Sequence, residues 1–172
     1  MEDGVKSITE WVPLVASARR EMRPVSDLTL ALQCGGSDAF SGVSGNPLAG
    51  QLAREVVRRG GAAVLAETDE LITAESWVLR SVKDREVARA FVDKVRIFRE
   101  RLAAHGQTAE ANPSGGNLWR GLTGISLKSL GAGMKKPVDV RLDGVLDYAE
   151  RLQSCGYMFM DSPGNDLESL AG

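Results

Sequence analysis

The stretch QCGGSDAFSG, residues 33–42, combines groups that can bind ions with glycines that expose the backbone. Cys34 and Asp38 could ligate a divalent cation, because thiolates and carboxylates are common metal ligands. The two glycines that follow Cys34 let backbone N–H groups approach an anion. A strand-to-helix turn capped by Ser37 and Asp38 accounts for the same residues equally well, so both interpretations stay open.

Two more acidic residues end apolar runs of the chain. Glu67 ends the run AAVLAE, and Asp161 ends the run YMFMD. A carboxylate beside a buried strand is a candidate ligand for a hard metal ion or a candidate acid–base group. Asp161 could instead bond its own backbone in an Asx turn. The nearby Asp69 and Glu70 are interpreted as the start of the next helix, where acidic residues favour the helix dipole.

Polar residues of the segment ANPSGGN, residues 111–117, suit the recognition of hydroxyl or carboxylate groups. A loop exposed to solvent explains this composition equally well. The residues concerned are Asn112, Ser114 and Asn117. Further along, Lys128 precedes Ser129 and could pair with a substrate carboxylate, or act as a base if it is desolvated. An ordinary surface lysine is the simpler interpretation.

Two apolar runs with a helical segment between them predict how these residues are positioned. The run at 28–33 and the run at 62–67 read as strands, and residues 46–59 carry apolar side chains at helical spacing. Asn46 is predicted to cap this helix, with Pro47 at its first position. Such a unit predicts parallel strands joined by a right-handed crossover. The polar residues would then meet at the carboxyl edge of the sheet, where α/β proteins bind ligands.

Other segments complete the predicted elements of one α/β domain over residues 1–172. Residues 8–23 and 68–105 read as helical, with the sole histidine, His105, as a structural cap of the second. Residues 143–156 predict a helix with an aspartate cap, and residues 157–161 predict a third strand. A short helix is expected before Pro137. The length is ample for one hydrophobic core.

Composition excludes several classes of partner. The formal net charge of −2 gives no electrostatic reason to expect nucleic acid or an anionic membrane as a partner. Two cysteines without a CxxC pair indicate a reducing compartment, and no apolar run approaches the roughly 18 residues that span a bilayer. The acidic start does not fit a signal peptide. We therefore expect a soluble, cytoplasmic protein.

Four motifs taken together resemble the altronate/galactarate dehydratase family. They are QCGGSDAFSGVSGNPLAG, AAVLAETDEL, ANPSGGN with GLTGISLKSLG, and GYMFMDSPGND, and the resemblance spans nearly all of residues 25–172. It implies a Rossmann-like three-layer α/β unit with a parallel sheet, incomplete relative to the family's catalytic domain. It also implies metal-dependent β-elimination of water from a sugar acid or a small hydroxy acid.

The resemblance assigns candidate roles to matching positions. Lys128 and Glu67 are the candidate catalytic groups. A divalent ion, Fe²⁺ or Mn²⁺, is expected, with its ligands among Cys34, Asp38, Glu67 and Asp161. The candidate substrate-binding residues are Gln33, Gly35, Gly36, Ser37, Asn46, Asn112, Ser114, Asn117 and Ser129.

This sequence departs from the family pattern at a few positions. Leu127 stands where the family has a glutamate, Gly115 where it has a proline, and Arg54 where it commonly has an aspartate. A leucine can neither ligate a cation nor move a proton. Altered chemistry is one outcome, and a non-catalytic assembly or ligand-binding domain is the alternative. The chain is interpreted as a fragment or subunit of a larger enzyme.

We expect the chain to associate with itself or with a companion subunit. A parallel sheet cut partway leaves an unpaired edge strand, and an exposed edge recruits another chain. Light scattering should therefore give a mass above the 18.4 kDa of one chain. A monomer at high concentration would contradict this expectation.

Overall fold

The computed structural model describes residues 2–35 and 37–162, and within them the chain forms a four-stranded parallel sheet. Its strands lie in the order β1-β2-β4-β3. They are β1 (Thr29–Leu32), β2 (Ala62–Leu65), β3 (Leu142–Leu146) and β4 (Gly156–Met160). Helices flank this sheet, which confirms the predicted α/β, Rossmann-like class.

The helices are α1 (Glu2–Ser17), α2 (Gly45–Arg58), α3 (Glu75–Val78), α4 (Arg85–Ala104), α5 (Gly115–Trp119) and α6 (Ile125–Gly133). Short 3-10 turns lie at Val25–Asp27, Asp69–Leu71 and Ala109–Ala111. Helix α2 contacts three of the strands and α6, and α4 contacts β3. Among the residues that the structure describes, no helix is long and apolar enough to cross a membrane.

The central strands β2 and β4 are apolar along their whole length because both of their faces are buried. Every residue of these two strands is buried. Their alternate side chains divide between two clusters, as expected of strands. Ala63, Leu65, Tyr157 and Phe159 join the main core with side chains of α2, α4 and α6. Phe159 meets Phe91 of α4 edge to face, with ring centroids 4.9 Å apart.

The predicted helix at 143–156 is wrong, because residues 142–146 form β3 instead. Asp143 does not cap a helix; its carboxylate accepts a hydrogen bond from the backbone N–H of Tyr157 at 2.9 Å. Gly144 leaves room for Met158, whose sulfur would lie 2.9 Å from a Cβ at this position. A short apolar run is compatible with either helix or strand, and here pairing with β4 decides the outcome.

Two other predicted boundaries also differ from the structure. Helix α1 covers Glu2–Ser17 rather than 8–23, so Pro13 lies inside it and not in its first turn. Helix α2 begins at Gly45, and Asn46 does not cap it. The Asn46 side chain donates instead to the carbonyl of Gly131 at 2.9 Å. The Asn46 side chain therefore links α2 to α6 instead of capping α2.

The predicted helical segment 68–105 is also interrupted. The 3-10 turn Asp69–Leu71, then α3 and α4, replace one continuous helix. Thr73 has a left-handed backbone with φ 83°, which ends the first turn. Asp84 then starts α4 by accepting a hydrogen bond from the N–H of Val87 at 2.9 Å. The expected short helix before Pro137 is present as α6.

A buried lysine follows α6. Lys136 is 0% exposed, and its Nζ has no hydrogen-bond partner within the described ranges. Burial lowers the pKa of Lys136 to about 8, although the carboxylates of Asp139 and Asp143 oppose this shift. The charged form of this side chain is therefore a cost to the folded state.

We predict that Lys136→Met stabilises the protein at pH 7. The pKa of Lys136 is lower in the folded protein than in the unfolded chain. Between about pH 8 and the ordinary lysine pKa, the unfolded chain therefore binds more protons than the folded protein. The stability of the unsubstituted protein therefore rises with pH through this window. The variant should gain about 2–3 kcal/mol at pH 7, and the gain should shrink towards pH 10. Urea unfolding at several pH values measures this difference, and a gain independent of pH would contradict it.

Candidate functional site

The register of the sheet brings the predicted polar residues to one edge. Leu32 pairs with Leu65, and Leu65 pairs with Phe159. Two residues further along each strand stand Cys34, Glu67 and Asp161. These three residues therefore occupy neighbouring positions at the carboxyl ends of β1, β2 and β4.

Hydrogen bonds join these strand ends to one another. The backbone N–H of Cys34 donates to Glu67 Oε2. The backbone N–H of Glu67 donates to Ser162 Oγ at 2.9 Å. The hydroxyl of Thr68 donates to Asp161 Oδ1 at 2.6 Å. The three loops after the strands therefore form one connected surface.

Glu67 is held in a conformation that few residues adopt. Its side chain is 1% exposed, and its backbone has φ 76°, in the left-handed region. A residue other than glycine pays about 1–3 kcal/mol there, and such strain clusters at functional sites. The turn directs the carboxylate of Glu67 towards the backbone of Cys34.

Lys128 lies in a buried polar network. Its Nζ donates to Asn112 Oδ1 at 2.6 Å and to Asn117 Oδ1 at 3.2 Å. It also forms an ion pair with Glu70 Oε1 at 2.9 Å, and both side chains are less than 10% exposed. The other oxygen, Glu70 Oε2, has no hydrogen-bond partner in the described part of the chain. The turn that carries Glu70, the segment 111–117 and α6 therefore meet at one ammonium group.

The sequence pattern predicts Glu70 at the start of a helix and not in the site. The structure buries this carboxylate against Lys128. The signal available in the sequence was that Glu70 closely follows Glu67. In the structure, a 3-10 turn over Asp69–Leu71 returns the chain to the edge of the sheet. That turn also places Asp69, whose Oδ2 accepts from Asn112 Nδ2 at 2.7 Å.

The segment 111–117 combines a local role with a long-range one. Ser114 and Asn117 form a reciprocal capping box at the start of α5. Asn117 Nδ2 also donates to the carbonyl of Ser37 at 2.8 Å. Asn117 therefore ties the glycine-rich loop to Lys128, whereas Ser114 serves the helix start.

The thiol of Cys34 faces the same loop. Its Sγ lies 2.7 Å from Ser37 Oγ. Burial raises the pKa of the Cys34 thiol, and the positive charge of Lys135 only partly opposes this shift. The negative charges of Glu70 and Glu67 raise this pKa further. Cys34 is therefore a neutral thiol at neutral pH in this environment.

The Asp38 carboxylate is hydrogen-bonded within its own loop. Its Oδ1 accepts from the backbone N–H of Ser41 at 2.6 Å, and Ser41 Oγ donates to the Asp38 carbonyl at 2.7 Å. Asp161 is likewise engaged, with its Oδ2 3.7 Å from Lys94 Nζ. Within residues 2–35 and 37–162, no three His, Cys, Asp or Glu side chains are grouped to hold a metal ion. Of the predicted ligands, Cys34 and Glu67 are joined directly, by the hydrogen bond from the Cys34 backbone.

The remaining predicted residues have varied positions. Gln33 is half-buried and Gly35 is exposed, whereas Ser129 is fully buried and its Oγ has no partner among the described residues. Gly36 lies outside the described residues, as does Pro163. Asn46 reaches α6 through its bond to Gly131.

Next to that bond, two glycines bring the loop and α6 into close contact. A Cβ on Gly42 would lie 3.1 Å from the Cα of Gly131. A Cβ on Gly131 would lie 3.2 Å from the Cα of Gly42. The glycine-rich loop therefore rests directly on the helix that carries Lys128.

A cavity of about 100 Å³ opens between the glycine-rich loop and α6. Cys34, Ser37 and Lys128 contribute to its wall. Leu127, at the position where the resemblance expects a glutamate, also lines it. The candidate site is thus this cavity together with the strand ends beside it.

The parallel sheet and the polar groups beyond its strands define an α/β domain whose candidate site lies at the carboxyl edge of the sheet. A family model described as D-galactarate/Altronate dehydratase, C-terminal, matches residues 25–172. The chain belongs to this family, which confirms the resemblance seen in the sequence.

Named relatives agree with this assignment. The chain is 36% identical over 167 residues to altronate dehydratase of Bacillus subtilis (strain 168), covering 97% of this chain and 33% of that protein. It is 35% identical over 175 residues to altronate dehydratase of Escherichia coli (strain K12), which covers 100% of this chain and 35% of that protein. It is 34% identical over 163 residues to the (2R)-sulfolactate sulfo-lyase subunit beta of Chromohalobacter salexigens, which covers 94% of this chain and 42% of that protein. The chain spans about a third of the length of these altronate dehydratases.

We predict that Glu70→Gln destabilises the fold by about 3 kcal/mol, because it leaves the buried ammonium of Lys128 without a counter-charge. The matched control is Glu75→Gln, which breaks the ion pair with Arg99, where the side chains are 21% and 50% exposed. That control should cost under about 1 kcal/mol. Urea unfolding of both variants provides the comparison, and equal losses would contradict it.

Proposed function

We propose that the chain provides part of the active site of a dehydratase that removes water from a sugar acid or a small hydroxy acid. The observation that carries the proposal is the buried ammonium of Lys128 at the wall of a cavity shared with Cys34. Membership of a dehydratase family supports this reaction class. A buried cation beside a cavity suits a substrate that carries a carboxylate.

Lys128 has the role of binding the substrate carboxylate in this proposal. Elimination begins with loss of the α proton, which places negative charge on the carboxylate oxygens. The three N–H groups of Lys128 face Glu70, Asn112 and Asn117, so the substrate carboxylate takes the place of one of these acceptors while the other two keep the ammonium in position. The buried surroundings strengthen this interaction relative to water.

Glu67 is the proposed proton acceptor. Its carboxylate accepts a hydrogen bond from the backbone N–H of Cys34, a residue that lines the cavity. A carboxylate held in a strained turn is positioned before the substrate arrives. Once the α proton is removed, the bond between the β carbon and its hydroxyl breaks, and water leaves with a second proton. The enol product then becomes a keto acid.

A divalent ion, Fe²⁺ or Mn²⁺, is proposed as the cofactor. Cys34 and Glu67 would contribute two ligands, and further ligands would come from outside the described residues. When bound, such an ion stabilises negative charge on the substrate as a Lewis acid. We also propose that the chain works together with a companion subunit. The sulfolactate sulfo-lyase relative is named as a subunit, and this chain matches only part of each relative.

The proposal is tested by dehydration of altronate and galactarate, with and without Mn²⁺. Keto-acid formation and exchange of the α proton in deuterated water are both followed by NMR. The paired variant Lys128→Met with Glu70→Gln removes both buried charges together, so no unpaired charge remains. We expect it to lower both rates at least about 100-fold.

The control is Lys83→Met, because Lys83 is exposed and does not line the cavity. Circular dichroism checks that each variant is folded. Undiminished exchange in the folded paired variant would rule out the role of Lys128. Acid binding without exchange in the unsubstituted chain would favour the non-catalytic ligand-binding alternative.

A further inference from the structure

We propose that α1 is a dimerisation helix, which pairs antiparallel with α1 of a second copy of this chain. This role is separate from the proposed function, since α1 contributes no side chain to the cavity between the glycine-rich loop and α6. An apolar stripe that the fold leaves uncovered supports the role. Complementary charges at the two ends of that stripe support the antiparallel direction.

One side of α1 is apolar and exposed. Val5, Ile8, Val12 and Val15 are spaced three, four and three residues apart, which places them on one face of the helix. Each of these four side chains is between 58% and 71% exposed. Trp11 lies beside them and helps to line a groove along the helix. Single exposed apolar residues are normal, whereas a contiguous apolar stripe marks an interaction surface.

Little within one chain stabilises α1. It contains no buried residue, and among the described residues no other element packs extensively against it. Isolated helices shorter than about 12–15 residues are marginal in water, and α1 has only 16. Pro13 lies inside α1, where a proline removes a backbone hydrogen bond. Since most helical stability in proteins comes from packing, the stripe of α1 needs a partner.

The stripe is complementary to a second copy of itself. Its spacing is that of the a and d positions of a coiled coil, whose side chains insert between those of a facing helix. In an antiparallel pair with a two-fold axis near residue 10, Val5 of one copy faces Val15 of the other, and Ile8 faces Val12. Glu10 lies on the opposite side of the helix, in solvent. The same patch is thus used by both copies, as two-fold symmetry requires.

Charges at the two ends of α1 favour the antiparallel direction. Glu2 and Asp3 lie in the first turn, whereas Arg19 and Arg20 follow the end of the helix. In the antiparallel pair, the acidic end of each copy lies next to the arginines of the other, so opposite charges attract at both ends. A parallel pair would bring acidic ends together and arginines together, which is unfavourable.

The polar side of α1 does not suit an anionic membrane. Helix α1 carries three acidic residues and one basic residue, which are Glu2, Asp3, Glu10 and Lys6. Helices that lie on membranes carry many lysines and arginines on their polar face. A second copy of the chain is the occupant that fits both the apolar stripe and the charges.

Light scattering of the full chain over a range of concentrations tests the role of the stripe. We expect the unsubstituted chain to have twice the 18.4 kDa of one copy. Ile8→Lys combined with Val12→Lys places like charges at the centre of the pair. This variant should raise the dissociation constant of the dimer at least about 100-fold.

The matched control is Leu48→Lys combined with Leu52→Lys. These two leucines lie on α2 with the same spacing of four residues, are 70% and 55% exposed, and do not line the cavity. The control should keep the mass of the dimer. Circular dichroism checks that both variants retain the folded sheet domain, to which α1 contributes no buried residue.

Charge reversal tests the antiparallel direction. One variant combines Glu2→Arg with Asp3→Arg, and another combines Arg19→Glu with Arg20→Glu. Each should weaken the dimer at least about 10-fold at low salt, because like charges then face each other at both ends. A chain with all four substitutions has opposite charges at both ends again, so it should recover most of the affinity. If the charges acted only on the dipole of each helix, this combined variant would be the weakest of the three.

Several results would overturn the proposal. The first is a monomeric unsubstituted chain at high concentration. The second is a dimer that survives Ile8→Lys with Val12→Lys, because association would then lie at another surface, such as the edge strand β1. Charge reversals that leave the affinity unchanged, or a combined variant weaker than both, would exclude antiparallel pairing of α1.

Discussion

The buried ammonium of Lys128 is the interaction around which the site is built. An isolated charge of this kind is very costly inside a protein, so it must be surrounded by acceptors. The turn after β2 supplies Glu70, and the segment 111–117 supplies Asn112 and Asn117. Asn117 in turn holds the carbonyl of Ser37 in the glycine-rich loop. The loops after the strands are therefore arranged around one charge.

The parallel register supplies the second constraint. Because β1, β2 and β4 are in step, their ends deliver Cys34, Glu67 and Asp161 to one edge without help from distant loops. The apolar runs made this predictable, since strands buried on both faces lack the alternation of a half-exposed strand. The same reasoning correctly placed polar groups where the hydrogen-bond ladder stops.

Other parts of the site could not be predicted from the sequence. Glu70 is one of several acidic residues after β2, and its partner Lys128 is far along the chain, so no local pattern joins them. Asp38 has a side chain suited to a metal, yet a nearer donor, the N–H of Ser41, engages it. The short apolar run of β3 is compatible with a helix. It forms a strand because it pairs in parallel with β4, and the residues of β3 alone do not reveal that pairing.

The left-handed backbone at Glu67 has an evolutionary consequence. Glycine adopts this conformation without strain, but it would leave the backbone N–H of Cys34 without the carboxylate that accepts from it and would empty a buried position. The two effects oppose each other, so the strain at Glu67 is offset by the bond that the strained turn makes possible. A lineage that lost the acid would have to satisfy this N–H in another way.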